Sequence, residues 1–173
     1  KFVSAMRTPA FAGIEIEARP FVNDHQLVLH TGADVNAKDV FTSDVNLIFF
    51  GFTRCPDVCP FTMARLGTIY EDLNEPSNLN VVMITVDPGH DTPRILGTYV
   101  QAFNQNFVGL TGPNSAIAGI ARDFFVGYGG VDAQITHTEA VAVVDKTGRL
   151  RYIYANDKVA SLASDLPGLL KQL

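Results

Sequence analysis

The chain has 173 residues, 47% hydrophobic and 18% charged, which suits one globular domain and excludes both a second substantial core and disorder as the main state. Thirteen Lys and Arg against eighteen Asp and Glu give a net charge of −5 with no basic run, so nothing draws the chain to a phosphate backbone and no nucleic acid is expected as a partner. The longest apolar run, residues 45–52, is interrupted by Asn46 and falls far short of the roughly 20 residues that span a bilayer. Because the sequence begins at Lys1 rather than Met, an upstream targeting peptide or membrane anchor is left open.

Residues 14–18 and 26–30 are short alternating or apolar stretches separated by Pro20 and Asn23-Asp24, which predicts strands leading into a hairpin with a turn at 31–34. Residues 45–52 are nearly all apolar, as a central strand covered on both faces would be. Apolar residues at helical spacing from Phe61 to Leu73 predict a helix, followed by a second buried strand over 81–86. Asp91-Thr92-Pro93 supplies a cap, read as Asp91, and an N1 proline for a helix to about Phe103. A short strand over 107–110 and a helix over 116–125 capped by Ser115 come next. Residues 140–144 and 150–154 form a hairpin across Asp145-Lys146-Thr147-Gly148. A last helix over 159–173 is expected to be interrupted near Pro167. This order is α/β, with parallel strands from the crossovers and an antiparallel pair near the end. It predicts a thioredoxin-like domain over residues 27–173, a mixed central sheet flanked by helices, with an N-terminal strand and hairpin extension over 1–26.

The only two cysteines, Cys55 and Cys59, lie where the central strand ends and a helix begins, at the sheet edge where sites collect in open α/β folds. Each precedes a proline, which disfavours helical geometry. Pro60 suits a first helical turn, so Cys59 is expected outside the helix, at or next to its N-cap, with its thiolate stabilised by the positive end of the helix dipole. A disulfide closing so small a loop would contribute only about 2 kcal/mol, against ~4.7 for a 100-residue loop. A redox or metal role is therefore the better account of the pair.

Phe50-Gly51-Phe52-Thr53-Arg54-Cys55-Pro56-Asp57-Val58-Cys59-Pro60, Thr85-Val86-Asp87-Pro88-Gly89-His90-Asp91-Thr92-Pro93, Leu110-Thr111-Gly112 and His137 just before a strand together resemble the Sco/SenC proteins. That family consists of thioredoxin-fold, membrane-tethered copper proteins that assist assembly of the binuclear copper site of cytochrome c oxidase. The resemblance implies that Cys55, Cys59 and His137 are copper ligands, with Asp87 an acidic residue beside them. It implies as partner a copper-site subunit of cytochrome c oxidase or another copper chaperone. It also implies work outside the cytoplasm, in a bacterial periplasm facing the inner membrane or in the mitochondrial intermembrane space, with the membrane tether outside this chain. Thr136 stands where the family carries Asp, and no aromatic counterpart occurs over 131–135, departures that touch tuning and partner recognition rather than the three ligands.

The chemistry agrees with the resemblance. Two thiolates and one imidazole are a soft, low-coordinate set suited to Cu(I) and able to hold Cu(II). Structural zinc would want a fourth ligand, from Asp87, His90, Glu139 or water. His137 gains weight from topology, because it precedes the strand at the place where thioredoxin-type oxidoreductases carry a cis-proline, and no proline occurs from Gly127 to Leu166. The rival function is a thiol–disulfide oxidoreductase with Cys55 and Cys59 as its redox-active pair. His25 and His30 read as surface residues and His90 as a solvated loop residue. Arg54 reads either as lowering the Cys55 pKa or as solvated, and Phe49, Phe50 and Phe52 as core and rim of the central strand.

Overall fold

The computed structural model describes residues 11–130 and 134–173. Residues 1–10, the first part of the expected N-terminal extension, and residues 131–133, part of the stretch without an aromatic counterpart, lie outside the described residues. In chain order the elements are β1 (Ile14–Glu15), β2 (Gln26–Leu29), β3 (Asp34–Asn36), a short α1 (Ala37–Val40), β4 (Val45–Gly51), α2 (Val58–Asp72), β5 (Leu79–Thr85) and α3 (Pro93–Phe103). There follow β6 (Val108–Thr111), α4 (Asn114–Asp123), β7 (Tyr128–Gly129), β8 (Thr136–His137), β9 (Ala140–Asp145), β10 (Leu150–Ala155), a 3-10 turn (Asn156–Ser161) and α5 (Leu162–Gln172).

Eight strands form one mixed sheet in the order β1-β10-β9-β4-β5-β6-β2-β3. β4, β5 and β6 are parallel, while β9 runs antiparallel to β4 and β2 antiparallel to β6. Every residue of β4 is buried, as expected of a central strand flanked by β5 and β9 and covered on both faces. Its side chains alternate: the Phe50 ring meets Phe124 at the end of α4, whereas the Phe49 ring faces His137. The crossovers β4–α2–β5 and β5–α3–β6 advance in one direction, so right-handed connections put α2 and α3 side by side on one face.

The hairpin at 26–36 and its turn at Gly32 (φ 92°) match the expectation, but β1 is no partner of β2. It pairs with β10 at the opposite edge of the sheet. The cap of α3 is Thr92, whose side chain accepts the Ile95 N–H, with Pro93 at the start of the helix. Asp91 is therefore not the cap. Nor does Ser115 cap α4, which begins at Asn114 after Pro113. Pro167 does not interrupt α5, because the buried Leu162, Leu166 and Leu169 on one face hold the helix through it. The sequence reading missed β7 and β8, two residues each, which pair only with one another.

Two carboxylates organise the ends of the sheet. Asp91 is completely buried and accepts the Thr53 backbone N–H (3.0 Å), the Thr53 hydroxyl and the Thr85 hydroxyl (2.7 Å), tying the ends of β4 and β5 together. His90 Nδ1 lies 3.0 Å from Asp91 Oδ1, the oxygen that also accepts the Thr53 hydroxyl. At the opposite end, Asp145 accepts the Thr147 N–H (2.9 Å) and hydroxyl (2.6 Å), the Arg149 N–H (3.2 Å) and Arg151 Nη1 (2.9 Å) in the β9–β10 turn. Burial opposes the Asp145 charge, but the Thr147, Arg151 and Arg149 bonds outweigh it and hold the pKa below its ordinary value.

Asp91→Ala should cost roughly 2–3 kcal/mol in urea denaturation by leaving the Thr53 N–H and Thr85 hydroxyl without their acceptor; an unchanged midpoint would refute the clamp. For Asp145 the folded pKa is depressed, so its contribution is present in full above the ordinary value of 3.8 and is lost as pH falls through the lower folded value. Asp145→Asn should lower stability at pH 7 by roughly 1–3 kcal/mol and flatten the acid limb of a pH–stability curve.

Candidate metal centre

The site begins where β4 runs out. Gly51 is the last residue of the strand, and a Cβ built there would stand 2.9 Å from Phe49 Cε1, 3.0 Å from Cys59 Sγ and 3.2 Å from Met83 Cε. Glycine at this point lets the Cys59 sulfur lie against the strand backbone. The chain then turns through Thr53 and Arg54 and enters α2 after its N-cap, Asp57, which makes no side-chain cap bond.

Cys59 is the second residue of α2, not outside it as the proline pattern suggested. Pro60 follows in the first turn, where the missing N–H costs nothing and its effect on the preceding residue is absorbed. The Cys59 N–H donates to Cys55 Sγ at 3.5 Å, so the start of the helix faces Cys55. Cys59 itself is fully buried, and burial pushes its thiol pKa up, with Cys55 adding to the effect and a backbone contact from Phe52 opposing it. Burial thus works against the stabilisation of the Cys59 thiolate expected from the helix end. Both cysteines are free thiols, Cys55 half-buried.

His137 reaches the pair from β8. Its Nδ1 lies 3.0 Å from the Thr138 carbonyl oxygen, which only accepts, so Nδ1–H is the donor. In the neutral ring Nε2 then carries the lone pair, and it lies 3.4 Å from Cys59 Sγ. The rings of Phe49 and Phe52 stand edge-on to the imidazole, each 6.0 Å between centroids, and wall it on the apolar side. One donor atom from each of Cys55, Cys59 and His137 lies within 4.8 Å of the others. Two sulfurs and one imidazole nitrogen, converging from two elements beside buried aromatic rings, fit a soft metal such as copper.

Asp87 is not part of this convergence. It belongs to a second group with His90 and Asp91, and it accepts Arg54 Nε (3.1 Å) and Nη2 (2.8 Å). Arg54 is thereby held on Asp87, which fixes the backbone just before Cys55. His90 is turned to Asp91 and Glu139 is exposed, so neither joins the three donors. The other two histidines are not simple surface residues. His25 Nε2 pairs with Asp123 at 2.7 Å, its side chain 15% exposed, and His30 Nδ1 accepts the Gly109 N–H at 3.1 Å. Phe49, Phe50 and Phe52 are all buried. Tyr128, which stands opposite His137 on β7, and Thr138 escape a reading of the sequence, since neither carries a strong metal donor and strands of two residues show no periodicity.

A family model described as SCO1/SenC matches residues 14–170. A SCO2-like protein of Rickettsia felis is 32% identical over 154 residues, covering 84% of this chain and 75% of its own length. The mitochondrial SCO1 homolog of Mus musculus is 35% identical over 150 residues, 81% of this chain but 52% of its own, so the match spans about half of that protein. Among solved structures, Arabidopsis thaliana ScoI with copper bound superposes with a TM-score of 0.80 at 25% identity, covering 89% of this chain and 100% of that one. The solution structure of apo Sco1 from Thermus thermophilus gives 0.76 at 32% identity, covering 98% and 99%. The mixed α/β architecture is the Sco thioredoxin-like fold. By the extent of these matches, the chain belongs to the SCO1/SenC family.

Proposed function

We propose that this domain is a copper metallochaperone that holds one copper ion through Cys55, Cys59 and His137 and passes it to the copper-site subunit of cytochrome c oxidase. The observation that carries the reading is the approach of two sulfurs and an imidazole nitrogen to within 4.8 Å, with Cys55 and His137 only half-buried. A site open on one side suits transfer by ligand exchange, in which an incoming donor replaces a departing one. Copper is bound in the solved ScoI structures of Arabidopsis thaliana and Bradyrhizobium japonicum. Bound copper would supply a soft acid to which both thiolates and the neutral imidazole bind. This chain's contribution is to present Nε2 unprotonated, keep Cys59 dry and hold Arg54, the residue before Cys55, on Asp87. The working place in this reading is outside the cytoplasm, in a bacterial periplasm or the mitochondrial intermembrane space, in keeping with the mitochondrial relatives. No helix among the described residues is long and apolar enough to cross a membrane, and the reading puts the tether outside this chain.

The unequal exposure of the thiols supports a second reading, a thiol–disulfide oxidoreductase. The half-buried Cys55, as thiolate, attacks a target disulfide and releases one target thiolate. Cys59 then displaces the other, leaving a Cys55–Cys59 disulfide and a reduced target.

Competition titration of the reduced protein with Cu(I) should give one tight equivalent, and His137→Ala should weaken it at least about tenfold, an effect of the size seen when metal-site support is lost. Cys55→Ser and Cys59→Ser should each abolish tight binding. Retention of copper by His137→Ala, with undiminished reduction of a disulfide substrate, would favour the oxidoreductase.

A further inference from the structure

His137 is carried on a ribbon with little backbone pairing of its own, although Phe49 and Phe52 wall its ring. β7 and β8 are two residues each and form a sheet separate from the eight-stranded one, and isolated two-stranded ribbons are marginal in water. Yet the ring must keep Nδ1 on one acceptor and Nε2 on Cys59. The polar contacts that tie this ribbon to the loop after α4 are made by the next residue, Thr138. Its N–H donates to the Gly127 carbonyl at 2.8 Å. Its Oγ1 accepts the Gly127 N–H at 3.0 Å, so both backbone groups of Gly127 meet Thr138. Its carbonyl accepts His137 Nδ1–H.

Gly127 is itself fixed from behind. The Val126 N–H donates to Ala121 O (2.8 Å) and the Phe125 N–H to Arg122 O (3.1 Å), with Phe125 in the left-handed region at φ 58°, so the loop is bolted to the end of α4. At the far end of the ribbon, Gly130 has φ 102°, and a Cβ there would come 2.6 Å from Gln134 O. An unbroken series of contacts thus runs from α4 through Gly127 and Thr138 to the imidazole.

We infer that Thr138 is the positioning residue of His137: its side chain clamps the peptide whose carbonyl fixes the Nδ1–H tautomer, and so aims Nε2 at the two sulfurs. The inference rests on the copper reading for its consequence, but the positioning itself is a property of the metal-free protein. Removing Oγ1 leaves the Thr138 N–H bond and the donor set in place and loosens the angle of the carbonyl. The effect is therefore one on ring orientation and on copper held through the ring, with no change in the cysteines.

The test compares Thr138→Val, which keeps the branched shape without the hydroxyl, with Thr138→Ser, which keeps the hydroxyl. In the metal-free protein, imidazole 15N shifts should report His137 as the Nδ1–H tautomer in wild type and Thr138→Ser, and as a mixture in Thr138→Val. Cu(I) competition should show about three- to tenfold weaker binding for Thr138→Val, the size of one modest hydrogen bond, with an altered nitrogen signature in the Cu(II) spectrum and wild-type behaviour for Thr138→Ser. In a His137→Ala background, Thr138→Val should weaken copper no further. Unchanged 15N shifts in Thr138→Val, or a loss of affinity that persists without His137, would overturn the inference. If His137→Ala alone leaves copper binding intact, it is the chaperone reading that fails, and the 15N comparison still decides the role of Thr138.

Discussion

The structure turns on the complete burial of β4 and on its ending in a glycine. A strand with no exposed face fixes its neighbours on both sides, β5 and β9, and brings the helices that cover it to a set distance. At its end Gly51 leaves room for one sulfur, since a Cβ would lie 3.0 Å from Cys59 Sγ. Cys59 is thereby seated against the sheet while Cys55 stays nearer the surface. The antiparallel neighbour β9 follows directly on the segment that carries His137. The three donors meet because strands adjacent in the sheet end and begin on the same side.

Around this seat the polar groups hold backbone rather than offer themselves as ligands. Asp91 is buried with its oxygens committed to Thr53, Thr85 and His90, and Asp87 is committed to Arg54. These carboxylates border the cysteine loop and fix it. The division of labour is chemical: oxygen donors, hard and already bonded, support the loop, and soft sulfur and imidazole donors are left to converge. The raised pKa of the Cys59 thiol belongs to the same arrangement, because the sulfur gives up solvent in exchange for its place beside His137 and Cys55.

Much of this was legible in the sequence, and the reasons differ by element. β4, β5 and β9 declared themselves as apolar runs, and the β9–β10 turn by Asp145 and Gly148, because burial and turn chemistry leave local marks. Cys55 and Cys59 stand out by residue type and place in the topology, His137 by the family resemblance with topology in support, and the structure brings the three together. What failed depended on competition between local and distant effects. Two Cys-Pro steps argued for a cysteine outside the helix, but packing of Cys59 under Gly51 starts α2 at Val58. Asp91 has the chemistry of a cap, yet the half-buried Thr53 hydroxyl and the buried Thr85 hydroxyl claim it and leave capping to Thr92. The β7–β8 ribbon left no mark because a two-residue strand has no period.

The central claim is that His137 is an equal partner with the two cysteines in holding copper. X-ray absorption of the Cu(I)-loaded protein tests it most directly, by counting the atoms bound to the metal. The account predicts two sulfurs and one imidazole nitrogen per copper, with the nitrogen contribution absent in His137→Ala. A copper bound by sulfur alone in the wild-type protein, with a spectrum that His137→Ala leaves unchanged, would contradict it.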